Sequence, residues 1–375
     1  MPQSGGHIRS LYVHFPFCEA KCHYCDFYSI GVERTQAGDA DQFEAALHRE
    51  ASLTTDQLAP ELDTIFFGGG TPSMTPVESM KRALAPLRLQ ERVTEKTEWT
   101  MEANPSSVSL ESLRQYREFG VNRISMGVQA LRPDLLVNLG RVHSREAAFR
   151  ALDAIFEAGF TNASVDLLCG VPGQTERDIE DAMTLLTNYP ITHLSCYLLT
   201  LHKTHRMYGD LPDEDVQLSH LLLIDRFMKS KGFEHYEISN FARPGRRAQH
   251  NLKYWTGASY LGLGPSAHSF DQKALKRWKN VSSLHLYGSR LNEGTSIVEW
   301  TEELNADQQH LEKWMLALRL DEGFPRSWLE TNAQKARAET LICEAFLESH
   351  PTKDQYLRLT PKGFALSDQV ISTLS

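Results

Sequence analysis

Three cysteines stand within eight residues, as Cys18-x-x-x-Cys22-x-x-Cys25. Thiolates are soft ligands, and three on one short loop can converge on one metal centre. Four would close a zinc site or hold every iron of a cubane cluster. Three leave one iron of a [4Fe–4S] cluster open to a further ligand. The competing reading is a structural zinc with His14 or His23 as fourth ligand, although zinc ligands normally come as two separated pairs. A second motif, Phe67-Gly68-Gly69-Gly70-Thr71-Pro72, ends a strand-like run. Glycines there let a ligand approach the backbone closely.

Further polar residues sit where apolar runs end. Glu102 precedes Ala103-Asn104-Pro105, Gln129 follows Ser125-Met126-Gly127-Val128, and Arg141 follows Leu139-Gly140. Asp166 interrupts the apolar stretch that runs on to Thr175. A helix cap, a surface charge or a barrel-stabilising pair would account for each. Asp166 fits that account least, because an acid inside a strand needs a partner or a ligand. An acid suits a ribose diol, and an arginine suits a carboxylate.

The elements that must position these residues are visible as alternation. Strand-like runs at Ser10–His14, Thr64–Phe67, Trp99–Glu102, Arg123–Met126, Ser164–Leu168 and His193–Leu199 are separated by amphipathic segments such as Gln42–Ser52, Leu110–Phe119, Glu146–Glu157 and Asp178–Leu186. Near-continuous apolar strands alternating with helices read as a parallel sheet covered by helices. Six units suggest a partial barrel. The expected class is α/β, a partial (β/α)6 barrel over 1–240, followed by a smaller mixed α+β region over 241–375. The expected end is winged-helix-like: helices, a strand at Tyr356–Thr360, then Pro361-Lys362-Gly363 and a last helix.

Composition sets the frame. The chain has 375 residues, 41% hydrophobic and 23% charged, with a net charge of −9. That excludes disorder for most of it and argues against a nucleic-acid partner, which a basic footprint would announce. No apolar run reaches the roughly 18–20 residues of a membrane span. The polar start, Met1–Arg9, carries no apolar signal segment, so a cytoplasmic location with reduced thiols is expected. Cys169, Cys196 and Cys343 sit among apolar neighbours and read as buried and inert.

With CxxxCxxC directly after the first strand of a partial barrel, the chain resembles a radical-SAM protein. The resemblance implies that S-adenosylmethionine (SAM) chelates the open iron through its amino and carboxylate groups, and that an electron from the cluster yields a 5′-deoxyadenosyl radical. The glycine run then resembles the strand-two motif that holds the SAM ammonium. Leu11 to Cys18, Gly68 to Pro72, Gly127-Val128-Gln129 and Asp166 to Thr175 together resemble the oxygen-independent coproporphyrinogen III oxidase family. Carried over by motif, the cluster ligands are Cys18, Cys22 and Cys25. The SAM contacts are Tyr12, Tyr24, Gly69, Gly70, Thr71, Glu102, Gln129, Arg141 and Asp166, with Thr200 a weaker candidate.

Three features favour the HemW-like heme-chaperone branch of that family. The oxidase motif extends to CxxxCxxCxC, whereas Phe27 stands two after Cys25; only 17 residues precede Cys18, where the oxidase carries a long arm; and His250-Asn251-Leu252-Lys253-Tyr254-Trp255 matches HNxxYW. The branch implies heme binding and delivery to hemoprotein targets such as respiratory enzymes, with transient membrane contact. Its alternative is radical decarboxylation of coproporphyrinogen III propionates. Histidine can ligate heme iron and aromatic rings pack on a macrocycle, so His250 is the leading heme ligand, against a reading as core packing. Tyr260 to Ser269 reads as a glycine-rich, irregular stretch that could close the barrel mouth, and its His268 as a satisfied loop histidine rather than a second ligand.

Overall fold

Residues 7–375 are described in a computed structural model. Met1–Gly6, most of the polar start, lies outside the described residues. The six expected strand–helix units are present: β1 (Ser10–Phe15) and α1 (Asp39–Thr54), β2 (Thr64–Gly69) and α2 (Val77–Leu84), β3 (Glu98–Ala103) and α3 (Leu110–Phe119). They continue with β4 (Arg123–Gln129), α4 (Pro133–Leu139) and α5 (Arg145–Glu157), β5 (Ala163–Cys169) and α6 (Glu176–Leu186), and β6 (His193–Leu198) and α7 (Glu214–Ser230). Beyond these lie β7 (Glu234–Glu237), β8 (Asn240–Ala242), α8 (Gln249–Trp255), β9 (Leu261–Leu263), β10 (His268–Asp271), β11 (Lys276–Asn280), α9 (Leu284–Glu293) and β12 (Val298–Glu303). The chain ends with α10 (Ala306–Ala317), β13 (Phe324–Pro325), α11 (Asn332–Cys343), β14 (Leu347–Ser349), β15 (Tyr356–Leu359), α12 (Pro361–Ala365) and α13 (Ser367–Leu374).

Two compact units form: residues 1–166 with 258–303, and residues 167–257 with 304–375. In the first, the sheet runs β9-β1-β2-β3-β4 and on to the start of β5. The pairings β9–β1, β1–β2, β2–β3 and β3–β4 are all parallel. These strands are buried on both faces, which is why they read as apolar runs. Leu11, Val13, Ile65, Phe67, Met101 and Ile124 make that core. Helix starts are set by side chains: Ser109 and Ser112 form a reciprocal capping box on α3, and Ser144 caps α5. Such caps contribute about 1 kcal/mol each.

The stretch Tyr260 to Ser269 is not irregular throughout. Leu261–Leu263 adds a parallel strand beside β1, with Leu11 opposite Leu261, and β10 begins at His268. A buried acid fixes this addition. Glu50, on α1, accepts hydrogen bonds from the Gly264 amide (2.7 Å), Tyr287 Oη (2.5 Å) and Asn280 Nδ2 (2.7 Å). Burial pushes its carboxyl up to about 7, against those three donors. Strands β10, β11 and β12 form a separate antiparallel sheet in this unit.

In the second unit β5, from Leu167, is followed in the sheet by β6, β8 and β7. Cys169 and Cys196 are buried, as expected, but Cys343 at the end of α11 is exposed. At the C-terminus, helices pack on the antiparallel sheet β13-β15-β14 around Trp314, Phe324, Leu357 and Phe364, the winged-helix-like end. Among the described residues no helix is long and apolar enough to cross a membrane.

Candidate functional site

The cysteine loop leaves β1 and is zipped to the glycine run that leaves β2. The Gly70 amide donates to Phe15 O and the Thr71 amide to Phe17 O, both at 2.7 Å. A Cβ on Gly70 would come within 2.6 Å of Phe17 O and 2.8 Å of Phe15 O. At Gly69, φ is +107° and a Cβ would meet the His14 ring at 2.6 Å. No side chain fits at either position, so the two loops can approach only through glycine.

A polar chain joins the first two cysteines. Thr71 Oγ1 donates to Cys18 Sγ (3.6 Å) and accepts from Asn104 Nδ2 (3.0 Å). Arg141 Nη2 donates to Asn104 Oδ1 (2.6 Å) and to Gly127 O (2.7 Å), while its Nη1 donates to Cys22 Sγ (3.3 Å). Arg141 Nε is buried and has no hydrogen-bond partner among the described residues. Burial pushes the Cys18 thiol up, and Thr71, Ser29 and Arg141 oppose it; burial likewise raises Cys25, with the charges of Cys22 and Cys18 adding to the shift. The charge of Cys22 thus reaches both neighbouring thiols. Tyr24 stands among them: burial raises its phenol, and Arg141, Cys22 and Cys25 all act on it.

The thiol set fits a cluster better than a single ion. A cubane, which takes each thiolate at a separate iron corner, spreads its ligands wider. Neither histidine weighed as a zinc ligand is placed for it. His14 Nδ1 lies 3.0 Å from Tyr12 Oη and its Nε2 2.8 Å from Tyr28 O. Burial holds this imidazole down at about 4, hence neutral, so Nε2 donates to Tyr28 O and Nδ1 accepts from Tyr12. His23 Nδ1 turns to Asn138 O (3.0 Å) at the end of α4.

Two acids and a glutamine complete the strand ends. Glu102 Oε2 accepts from the Gly69 amide (3.1 Å). The carboxylate keeps some surface, yet protein surrounds it: burial first, then the charge of Asp166, push it up to about 8, against Gly69 and Arg123. Asp166 accepts from Ser125 Oγ at 3.1 Å on both oxygens. Space around Gly68 is bounded by Glu102 Oε2 and the Tyr12 ring, each 3.1 Å from where a Cβ would stand. Around Gly127 the nearest groups are Gln129 Nε2 (3.0 Å), Asn104 Oδ1 (3.4 Å) and Arg141 Nη2 (3.5 Å). Gln129 adopts a left-handed φ of 67°, a strain that surroundings must hold in place. One unit thus contains Cys18, Cys22, Cys25, Tyr12, Tyr24, Gly69, Gly70, Thr71, Glu102, Gln129, Arg141 and Asp166, on β1 to β5 or in the segments that follow them. The arrangement offers soft thiolates, a partly unpartnered guanidinium and two facing carboxyls. Those groups can take, respectively, iron, a carboxylate, and hydroxyls or an ammonium.

Asn104 and Ser125 were not singled out from sequence as contacts at this site, and His14 only as a possible zinc ligand. Asn104 had the clearest signal, a polar side chain directly after a strand and before Pro105. His250 lies in the other unit, on α8. It is fully buried, and its Nε2 is 2.9 Å from Tyr254 Oη. Thr200, the weaker candidate, is exposed just after β6.

Residues 12–186 match the Radical SAM superfamily. A heme chaperone HemW of Mycobacterium tuberculosis is 35% identical over 97% of this chain and 94% of its own length. Those of Bacillus subtilis and Escherichia coli are 34% and 33% identical, each over 84% of both chains. Among solved structures, coproporphyrinogen III oxidase (HemN) from Escherichia coli superimposes with a TM-score of 0.83 at 22% identity, covering 100% of this chain and 91% of that one. That likeness establishes the partial-barrel fold. The near-full-length relatives carry the rest: the chain belongs to the HemW family of radical-SAM proteins.

Proposed function

We propose that this protein is a heme chaperone, binding heme and passing it to hemoprotein targets, with a [4Fe–4S] cluster and SAM in a supporting role. The observation that carries the reading is similarity to HemW heme chaperones along nearly the whole chain, the HNxxYW stretch included. Cys18, Cys22 and Cys25 hold the cluster in this reading. The SAM contacts are Tyr12, Tyr24, Gly69, Gly70, Thr71, Glu102, Gln129, Arg141 and Asp166. When bound, the cluster supplies an electron to cleave SAM, and the protein supplies position and exclusion of water. Arg141 has a buried Nε to offer a carboxylate, and its link to Cys22 orients it. Glu102 and Asp166 take the ammonium and ribose hydroxyls, and the Gly69 amide keeps Glu102 in place.

We place the cluster and SAM part in 1–240 and the heme-contacting part in 241–375, with His250 as the family-derived ligand. Reduced thiols fit a cytoplasmic setting, and delivery to respiratory enzymes entails transient membrane contact. The test is an anaerobic heme titration of the reconstituted protein, followed by transfer to an apo-hemoprotein. Saturable one-to-one binding with transfer is expected. Non-saturating uptake together with protoporphyrinogen formation from coproporphyrinogen III would replace the reading by the decarboxylase.

A further inference from the structure

A heme iron takes a neutral imidazole, its macrocycle packs on an aromatic face, and its propionates need cations. The sheet β10-β11-β12 sets these three groups side by side. His268 on β10 is directly opposite Lys279 on β11, and Lys279 is directly opposite Trp300 on β12. Opposed cross-strand residues project from the same face, with Cβ atoms about 5 Å apart. Imidazole, ammonium and indole therefore stand in one row. Arg277, two residues along β11, joins that face opposite Phe270, with its guanidinium 6.0 Å from the centre of the Trp300 ring.

Each member is available. His268 is exposed, and among the described residues nothing hydrogen-bonds its ring. Partial burial, then the charges of Lys279 and Arg277, lower its pKa, so the ring is neutral at physiological pH and keeps a lone pair for a metal. Trp300 is 43% exposed, which leaves ring surface for a macrocycle to cover. Glu299 holds Lys279 at 3.6 Å and Glu302 holds Arg277, both from β12, which keeps the cations over the sheet. Glu302 shares the face with Arg277, so the Lys279 end is the more open to a propionate. His250 offers none of this: its ring is fully buried and bonded to Tyr254, and ligation there would first have to break that bond and open α8.

We propose that heme binds on the His268–Lys279–Trp300 row, with His268 as the axial ligand, Trp300 against the macrocycle and Lys279 on a propionate. The proposal rests on the reading that the protein binds heme, and moves the ligand from the buried histidine of HNxxYW to an exposed one. The segment leading into β10 also runs beside the cysteine and glycine loops, since a Cβ on Gly264, four residues before His268, would stand 2.5 Å from His14 O.

The test is heme titration of the full-length reconstituted protein by its Soret band, in the natural chain and in His268→Ala, His268→Met and His250→Ala. Circular dichroism checks that each variant is folded. The expected result is one-to-one binding by the natural chain and by His250→Ala, with affinity at least tenfold weaker in His268→Ala. His268→Met should bind with a Soret position and electron paramagnetic resonance signature changed to those of a thioether ligand, which a structural role for His268 would not produce. Unchanged affinity and spectrum in His268→Ala and His268→Met overturn the assignment while leaving the chaperone reading intact. No saturable binding by the natural chain overturns both.

Discussion

The raised carboxyl of Glu102 makes SAM binding a proton-linked event. Its pKa of about 8 reflects burial and the facing charge of Asp166, only partly offset by the Gly69 amide and Arg123. In the free protein roughly 1% of Glu102 is ionised at pH 6 and about half at pH 8. SAM brings a sulfonium, and its amino group meets iron as the neutral amine with N–H bonds to donate, so its binding is favoured by the ionised carboxylate. Apparent affinity falls by the fraction of molecules in the competent state. Through Glu102, affinity should therefore rise about 50-fold from pH 6 to pH 8, with close to one proton released by this group per SAM bound at pH 6.5. Glu102→Gln keeps an acceptor for the Gly69 amide but cannot titrate, so its pH slope and proton release should be smaller than those of the natural chain by the share of Glu102, leaving only that of the SAM amino group. Anaerobic isothermal titration calorimetry of cluster-loaded protein, in buffers of different ionisation enthalpy, reads both quantities. Equal pH slopes in the two proteins, or no proton release by the natural chain, would refute the assignment of Glu102 to the SAM site.

Three further outcomes follow from the geometry. Cys22→Ala should lose the visible cluster absorption and most of its iron after anaerobic reconstitution, while Cys169→Ala, altered at a buried cysteine away from the loop, should keep both. Arg141→Lys cannot reproduce the fork that reaches Gly127 O, Asn104 and Cys22 together, so SAM affinity measured by equilibrium dialysis should drop about 10- to 100-fold, from the loss of charge-assisted hydrogen bonds. Glu50 has a folded pKa of about 7, above its unfolded value of 4.5, so the folded state holds a proton that the unfolded state has lost and stability falls as pH rises from 4.5 to 7. The fall attributable to this group is about 1.4 kcal/mol per pH unit, and urea unfolding at pH 5 and pH 7 should find it missing in Glu50→Gln.

How much of this was legible from sequence follows from burial. Strands β1 to β6 are buried along most of their length, so their apolar character runs nearly unbroken along the chain, and each was readable within one to three residues. The sheet β10-β11-β12 was not. Its strands carry Lys276, Arg277, Lys279, Glu299, Glu302 and Glu303, half-exposed on an antiparallel surface, and charge masks the alternation that would mark them. The cysteine set was legible because three thiols in eight residues need no tertiary information to meet. The link from Cys18 through Thr71, Asn104 and Arg141 to Cys22 was not, because it depends on four separate strand ends arriving together.

The same contrast decides between the two histidines. A motif such as HNxxYW draws attention because its residue types could ligate and stack, yet a hydrogen bond four residues along the same helix, from His250 to Tyr254, gives that spacing an ordinary structural use. His268 drew little attention, since a histidine among glycines reads as a loop residue whose needs are met nearby. Its partners are set by strand register, which brings Lys279 and Trp300 from 11 and 32 positions away into one row with it. Sequence spacing is thus informative about ligands on a loop or helix and silent about ligands on a sheet. In this protein the thiolates belong to the first kind and the imidazole with a free lone pair to the second.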